Sequence, residues 1–207
     1  RVQNEDFSSG SGTIEKHDIV NLYLEEITRN IKIARPMRVV TDCGNGVAGL
    51  IAPRLLRSIG CQVTELYSDI NGNFPNHHPD PSVPDNLNDL VSKVSSTKAD
   101  IGIAFDGDGD RLGVVTGAGE IVWPDRQMIL FARDILLTNP GAKIIFDVKC
   151  SRLLPGIITD AGGEAIMWKT GHSFIKEKIK DTNAALGGEM SGHIFFNDRW
   201  YGFDDAI

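Results

Sequence analysis

One stretch of the chain reads Ile103-Ala104-Phe105-Asp106-Gly107-Asp108-Gly109-Asp110-Arg111. The apolar residues 101–105 predict a buried strand, and three carboxylates separated only by glycines follow it. Alternate side chains of an extended segment share one face, and glycine lets the backbone turn tightly, so Asp106, Asp108 and Asp110 are expected to converge. Clustered carboxylate oxygens favour a hard cation, and Mg²⁺ is the ion that this pattern predicts.

Arg111 follows the third aspartate directly. Its forked guanidinium suits two-pronged binding of phosphate, and a metal site beside it indicates phosphoryl chemistry. Two other interpretations stay open: a phosphatase in which Asp106 is the nucleophile, and a turn that merely faces solvent. An EF-hand calcium loop is excluded, because Arg111 and Gly117 occupy the positions where that loop needs Gly and Glu.

The bulk composition excludes several classes of protein. The chain has 207 residues and a net charge of −7 with no basic tract, which argues against nucleic acid or an anionic membrane as a partner. No apolar run approaches the ~20 residues needed to cross a bilayer, and no signal-peptide pattern is present. Three cysteines without a Cys-x-x-Cys pair fit a reducing compartment, so we expect a cytoplasmic protein.

Two units of the same plan follow each other along the chain. Predicted elements of the first unit are a helix at 19–31 that Asp18 caps, a strand at 38–42, a helix at 50–59, a strand at 62–67, a helix at 86–95 and a strand at 101–105. Predicted elements of the second are a strand at 143–147, a helix at 153–160, a strand at 164–168, a helix at 173–180 and a strand at 184–187. This alternation predicts an α/β protein with two tandem, similarly built α/β/α domains and mixed, mostly parallel sheets.

The predicted domains are residues 18–121, which carry the aspartate loop, and residues 122–207, which carry a second polar loop. Residues 1–17 are expected to be a linker or the tail of a preceding domain, because the run at 8–12 is rich in serine and glycine. Ligands of such sheets bind beyond the carboxyl ends of the strands, where both loops lie.

The second polar loop reads Gly188-Glu189-Met190-Ser191-Gly192-His193. Glu189 and Ser191 are two residues apart and can point the same way, which suits neighbouring sugar hydroxyls, and His193 adds a further polar group. An ordinary strand–turn–strand with polar tips is the alternative.

A third segment, Lys169-Thr170-Gly171-His172-Ser173, precedes a predicted helix. The N–H groups and dipole of that helix would form an anion site, to which Lys169 and His172 add charge, although an ordinary N-cap also fits. Lys149 ends a strand at the same edge of the sheet. We expect His77 and His78 to lie in a stiff structural loop, and Trp200 and Tyr201 to lie in the core.

With these loops assembled, the sequence resembles the α-D-phosphohexomutases, and among them the bacterial phosphomannomutase/phosphoglucomutase type. The resemblance runs from about Ile19 to the last residue. It rests on six segments in one order: residues 42–46, 72–81, 106–111, 168–173, 188–193 and 202–205. The phosphoglucosamine mutases are the nearest alternative, but they typically carry Gln where this chain has Met190.

The resemblance implies reversible phosphoryl transfer between the 1- and 6-hydroxyls of mannose or glucose phosphate, through a phosphoserine and a sugar bisphosphate. It implies that Asp106, Asp108 and Asp110 hold Mg²⁺ and that Arg111 lies at the transferring phosphoryl group. Lys149 and His172 would line the site, with His172 as a proton shuttle. The residues expected to bind the substrate are Glu189, Ser191, His193, Lys169 and Gly171.

Two features of the family are not found in the sequence. No serine is followed by His-Asn-Pro, as the family's phosphoserine is, and the Arg-x-Ser-Asn-Thr pattern of its C-terminal phosphate-binding domain does not occur. The chain therefore looks like the two central domains of a four-domain enzyme, the second lacking its final helix. We expect a monomer whose partners are a hexose phosphate and the missing domains, and which alone is an inactive metal- or sugar-phosphate-binding fragment.

Overall fold

The structure is a computed structural model that describes residue 7 and residues 10–207. The predicted linker at residues 1–17 lies partly outside these residues, and residues 10–19 contain neither helix nor strand. In the described part of the chain, no helix combines the length and the apolar character needed to cross a bilayer.

The first unit contains a five-stranded mixed sheet in the spatial order β2-β1-β3-β4-β5. Its strands are β1 (Arg38–Asp42), β2 (Gln62–Leu66), β3 (Ile101–Phe105), β4 (Leu112–Thr116) and β5 (Ile121–Val122). Strand β1 pairs in parallel with β2 and β3, whereas β4 is antiparallel to β3 and β5. The helices are α1 (Val20–Asn30), α2 (Ala52–Ser58) and α3 (Asn88–Thr97), with 3₁₀ turns at Val47–Leu50 and Pro84–Leu87.

The second unit contains a four-stranded sheet in the order β7-β6-β8-β9. Its strands are β6 (Lys143–Asp147), β7 (Glu164–Trp168), β8 (Leu186–Gly188) and β9 (Ile194–Phe196). Strand β6 pairs in parallel with β7 and β8, and only β9 is antiparallel. The helices are α4 (Pro124–Thr138), α5 (Leu153–Asp160) and α6 (His172–Thr182).

In both units, successive residues of the central strands pack against opposite layers of helices. Ala104 joins a buried cluster with α3, whereas the next residue, Phe105, joins one with α2. In the second unit Ile144 packs with α4 and α5, and Ile145 packs with α6. This alternation buries both faces of each sheet, as the apolar runs of the parallel strands require, and confirms the prediction of two α/β/α domains.

Several boundaries differ from those expected. The predicted helix at 50–59 is split between a 3₁₀ turn and α2, and β8 ends one residue later than expected. Asp18 accepts a hydrogen bond from the Val20 N–H at 3.1 Å, at the start of α1. Because β5 belongs to the first sheet and α4 begins at Pro124, we propose that the units divide at Trp123, slightly beyond the expected position.

Candidate functional site

The three aspartates of the first loop lie together beyond the carboxyl end of β3. One carboxylate oxygen from each of Asp106, Asp108 and Asp110 lies within 4.8 Å of the other two. The loop can turn this sharply because Gly109 has a φ of +78°, a conformation that costs glycine little. Oxygens around Mg²⁺ lie about 3 to 4 Å from one another in an octahedron, so this set needs only a small contraction to bind such an ion.

Asp106 organises the loop from inside. Its Oδ1 accepts hydrogen bonds from the backbone N–H groups of Gly109, Asp110 and Arg111 at 3.0, 3.0 and 3.1 Å, and its Oδ2 accepts one from Arg111 Nε at 2.7 Å. Burial opposes ionisation, but the bonds from Arg111 outweigh it and lower the pKa of Asp106. Because Oδ1 is already bound by three donors, it is a poor nucleophile, and only Oδ2 remains available for a ligand.

The pKa of Asp110 reflects the repulsion between the carboxylates of the cluster. Burial and the repulsion from Asp106 and Asp108 raise its pKa to about 6, although His193 acts in the opposite direction. Asp108 is exposed, so the cluster is open to solvent on one side. A carboxylate whose charge two neighbouring carboxylates disfavour is one that a divalent cation stabilises, and the three residues therefore fit the expected metal site.

Arg111 is held between two carboxylates. Besides its bond to Asp106, its Nη1 donates to Asp80 Oδ1 at 3.0 Å. Burial opposes the charge of the guanidinium, but Asp106 and Asp80 outweigh it and raise its pKa. Asp80 was not expected at the site, although the family resemblance already included the segment 72–81. Within the described residues Nη2 has no hydrogen-bond acceptor.

The polar loops of the two units meet. The Leu112 N–H donates to the Gly192 carbonyl at 3.1 Å, and Arg111 and His193 form an isolated antiparallel bridge. Gly192 has a φ of +106°, and a Cβ on it would lie 3.2 Å from the Leu112 carbonyl oxygen. Only glycine therefore allows this close approach without strain.

His193 links the two units through charge. Its Nδ1 lies 3.0 Å from Asp204 Oδ2 and 3.6 Å from Asp110 Oδ1. Burial opposes its charge, but Asp204 and Asp110 outweigh the burial and raise the pKa of His193. Asp204 also accepts a hydrogen bond from Lys176 Nζ at 2.8 Å, and the His172 ring stacks on His193 with centroids 5.5 Å apart. Of these residues, Asp204 and Lys176 were not expected at the site, although the family resemblance already included the segment 202–205.

Glu189 is buried and faces the start of α6. Its Oε1 accepts a hydrogen bond from the Gly171 N–H, and Ser191 Oγ lies 3.4 Å from its Oε2. The carboxylate therefore occupies part of the anion site expected at this helix, and an additional anion has to use the N–H groups of His172 and Ser173. The Lys169 ammonium lies 3.7 Å from the centre of the Phe174 ring, in a cation–π contact.

The remaining predicted residues have different surroundings. The expectation that Lys149 ends a strand is wrong, because β6 ends at Asp147 and Lys149 lies exposed two residues beyond it. His77 Nε2 lies 3.1 Å from both carboxylate oxygens of Asp42, so this histidine fastens its loop to the end of β1. Trp200 is half-buried, but the core position predicted for Tyr201 is wrong, since 68% of Tyr201 is exposed. Tyr201 stacks on Phe203 in a surface turn, with ring centroids 6.3 Å apart.

Comparison with known proteins gives consistent matches over most of the chain. Residues 21–119 match the family model "Phosphoglucomutase/phosphomannomutase, alpha/beta/alpha domain II", and residues 123–207 match that of domain III. A phosphomannomutase/phosphoglucomutase from Pseudomonas aeruginosa is 58% identical over 207 residues, which are 100% of this chain and 45% of the relative. A phosphoglucomutase from Neisseria gonorrhoeae is 55% identical over 196 residues, which are 95% of this chain and 43% of the relative.

A solved structure gives the same result. The crystal structure of a phosphoglucomutase/phosphomannomutase family protein from Burkholderia thailandensis has a TM-score of 0.97 and 56% identity to this chain, and the match covers 100% of this chain and 45% of that one. The chain thus spans a little less than half the length of these relatives.

Proposed function

Because the chain belongs to the phosphoglucomutase/phosphomannomutase family, we propose that it forms the metal- and sugar-binding core of a phosphohexomutase. The whole enzyme would move a phosphoryl group reversibly between positions 1 and 6 of mannose or glucose phosphate, through a phosphoserine and a bisphosphate intermediate. The donor serine would come from a part of the enzyme with which this chain is joined. We propose a cytoplasmic monomer, consistent with the three free thiols of Cys43, Cys61 and Cys150.

The observation that carries this proposal is the contact between the two polar loops. The hydrogen bond from Leu112 to Gly192 keeps the aspartate loop beside the loop that contains Glu189 and Ser191. A phosphoryl group near the aspartates and a sugar near Glu189 would then be neighbours. Such a shared cleft suits transfer between two groups of one substrate, because positioning accounts for much of phosphoryl-transfer catalysis.

Asp106, Asp108 and Asp110 would hold Mg²⁺, which supplies charge neutralisation at phosphoryl oxygens when bound. Arg111 would use the unoccupied Nη2 of its fork to bind the transferring group, while Asp106 and Asp80 fix the orientation of its guanidinium. The hydrogen bonds to these two carboxylates leave the arginine little freedom. Its charge would thus be preorganised at the position where it is needed.

His172 would carry the proton of a sugar hydroxyl, because it is exposed at the start of α6 and stacks on His193. Glu189 and Ser191 would bind neighbouring sugar hydroxyls, with His193, Lys169 and Gly171 around them. Lys149 would contribute charge at the same edge. Such a pair could bind the hydroxyls of the sugar in either of two orientations. An enzyme that transfers a phosphoryl group at both position 1 and position 6 needs to bind the sugar in both orientations.

The proposal can be tested with a chimeric enzyme. The 207 residues that align with this chain in the Pseudomonas aeruginosa relative are replaced by this chain, and mutase activity is measured in a coupled assay with glucose 1-phosphate and mannose 1-phosphate. We expect activity that a chelator removes and Mg²⁺ restores. The matched Asp108→Asn chimera should be inactive at the same Mg²⁺ concentration, whereas a fully active Asp108→Asn chimera would refute the metal role.

A second arm tests the chain alone. We expect no turnover of hexose phosphate by the 207-residue polypeptide, because it lacks the Ser-His-Asn-Pro segment. Turnover well above a blank would overturn this expectation. An aspartyl-phosphate adduct at Asp106, detected by mass spectrometry after incubation with a phosphoryl donor, would instead support the phosphatase alternative.

A further inference from the structure

Asp147 is the last residue of β6, the strand that lies between β7 and β8 in the second sheet. Its side chain is completely buried. Its Oδ2 accepts a hydrogen bond from Thr170 Oγ1 at 2.9 Å, and its Oδ1 accepts bonds from the Met190 N–H at 3.2 Å and the Cys150 thiol at 3.1 Å. All three donors are neutral, so the buried carboxylate depends on them for the stabilisation that water would otherwise give it.

Two of the three donors, Thr170 and Met190, come from the two segments that would bind the substrate. Thr170 belongs to the segment after β7, next to Gly171 and His172, and Met190 lies between Glu189 and Ser191 after β8. One carboxylate therefore fixes the distance between these segments. The bond from the Gly171 N–H to Glu189 is a second link between them, and its two residues are the sequence neighbours of Thr170 and Met190, which Asp147 binds.

The first unit has a carboxylate in the equivalent position. Asp42 ends β1, which lies between β2 and β3, and it too is completely buried. It accepts a hydrogen bond from the Gly44 N–H at 3.0 Å and contacts His77 Nε2 at 3.1 Å. In both units the last residue of the central strand therefore contacts the loop that follows the neighbouring parallel strand, through His77 in the first unit and Thr170 in the second.

We propose that Asp147 is a positioning residue that couples the segment 169–173 to the segment 188–193. It would set His172 at the correct distance from Glu189 and Ser191 without touching the substrate. This part of the inference rests on the proposed function, because the proposed function assigns the roles of His172, Glu189 and Ser191. The coupling itself is a property of the structure and can be measured without any catalytic activity.

The coupling is tested by amide hydrogen exchange on the 207-residue chain with the variant Thr170→Val. Valine keeps the shape of threonine but removes the hydroxyl that binds Asp147. We expect exchange to become about fivefold faster in both segments, the factor that one ordinary hydrogen bond contributes. The control is Thr159→Val, which removes a hydroxyl bond at an exposed position of α5 and should leave both segments unchanged.

A pair of variants at Asp147 sharpens the test. The amide of Asp147→Asn still accepts from Met190 and donates to the Thr170 hydroxyl, which can act as an acceptor, so exchange should stay close to that of the original chain. Asp147→Ala should accelerate exchange in both segments or prevent folding. Faster exchange after Thr170→Val at 169–173 alone, or an Asp147→Asn variant as disturbed as Asp147→Ala, would overturn the proposal.

The kinetic consequence is measured in the chimeric enzyme. Thr170→Val should lower kcat/KM by about tenfold, and Asp147→Asn should retain most of the activity. An unchanged kcat/KM in Thr170→Val would refute the positioning role. A chimera that is inactive with the original chain, but whose segments still show coupled exchange, would refute the proposed function and leave the coupling intact.

Discussion

Asp108 is the exposed member of the aspartate cluster, so its charge can be removed without disturbing the core. We expect Asp108→Asn to weaken Mg²⁺ binding to the chain by at least about tenfold, because the number of charged ligands sets the affinity of such sites. Isothermal titration calorimetry measures the change. Without metal the variant should be as stable as the original chain or slightly more so, since one repulsive charge is gone.

The control for this experiment is Asp181→Asn, which removes an exposed charge in the last turn of α6 and should leave Mg²⁺ binding unchanged. Equal affinities in Asp108→Asn and the original chain would refute the metal site. Loss of hexose-phosphate binding in the chimera, with Mg²⁺ affinity retained, would instead give Asp108 a role in binding the sugar.

Replacement of Arg111 by lysine tests whether the forked shape of the guanidinium, or only its positive charge, stabilises the protein. Lysine keeps the charge but cannot bind Asp106 and Asp80 together as the guanidinium does. We expect Arg111→Lys to lower the free energy of unfolding by about 1–2 kcal/mol, the cost of one charge-assisted hydrogen bond lost in a partly buried site. Urea denaturation of the chain measures it.

A matched substitution separates this effect from a general cost of replacing arginine. Arg199 also bridges two carboxylates, Asp134 and Asp198, but its side chain is 45% exposed. Exposed ion pairs contribute little, so Arg199→Lys should change the free energy of unfolding by less than about 0.5 kcal/mol. If both variants lose the same stability, the geometry at Arg111 has no special importance.

At the scale of secondary-structure elements, the contact between the loop after β3 and the loop after β8 depends on Gly192. Alanine there would hold a strained φ and press its Cβ against the Leu112 backbone. We expect Gly192→Ala to lower the free energy of unfolding by about 1–3 kcal/mol and to reduce mutase activity of the chimera. Thermal denaturation and the coupled assay measure the two effects.

Gly156 provides the opposite case for comparison. It lies inside α5, and a Cβ added to it meets no atom within 4 Å. Gly156→Ala should therefore raise the free energy of unfolding by about 0.5–1 kcal/mol. If Gly192→Ala is equally harmless, the close approach of the two loops does not contribute to stability or activity.

The elements that the sequence predicts well are those whose pattern is local. Strands β1, β3, β6 and β7 and helix α5 have the expected bounds, because short apolar runs between polar or glycine residues specify them. Strands β4 and β5 were not predicted, because the alternation of strands and helices on which the prediction rested does not include antiparallel hairpins. Strand β9 corresponds to the alternative of a strand–turn–strand at residues 188–193. All three strands pair with strands that are near in sequence. Helix α4 was not predicted, because its apolar residues at 128–131 and 135–137 form runs that point to all sides of the helix and hide the helical periodicity. Pro124, in its first turn, was nevertheless a signal for the start of a helix.

The same distinction applies to the candidate site. The convergence of Asp106, Asp108 and Asp110 follows from their spacing alone. Asp80 and Asp147 could not be found in this way, because Asp80 meets Arg111 across 31 positions and Asp147 meets Met190 across 43. Such pairings are fixed by the topology of the sheets, which brings the ends of neighbouring parallel strands to one edge.

At the scale of the whole molecule, residues 205–207 of the second unit form hydrogen bonds and apolar contacts with the first unit. Tyr23 in α1 donates to both carboxylate oxygens of Asp205 at 2.8 Å, and the Ala206 N–H donates to the Gly109 carbonyl at 3.1 Å. Ile207 packs against the apolar clusters around α1 and α2. Burial and Asp205 raise the pKa of Tyr23 far above its usual range, so its phenol remains a donor at any ordinary pH.

These contacts predict how the chain unfolds. Because the two units share the segment 205–207 and the contact between Leu112 and Gly192, we expect one cooperative transition in differential scanning calorimetry, with equal calorimetric and van't Hoff enthalpies. Removal of residues 205–207 should separate the transition into two, since the first unit then loses the Tyr23 and Ile207 contacts. Leu137→Ser, at a side chain that is 82% exposed, is the control and should keep a single transition. Two transitions in the original chain would show that the units unfold independently. One transition in the shortened chain would show that the contact between Leu112 and Gly192 couples the units without this segment.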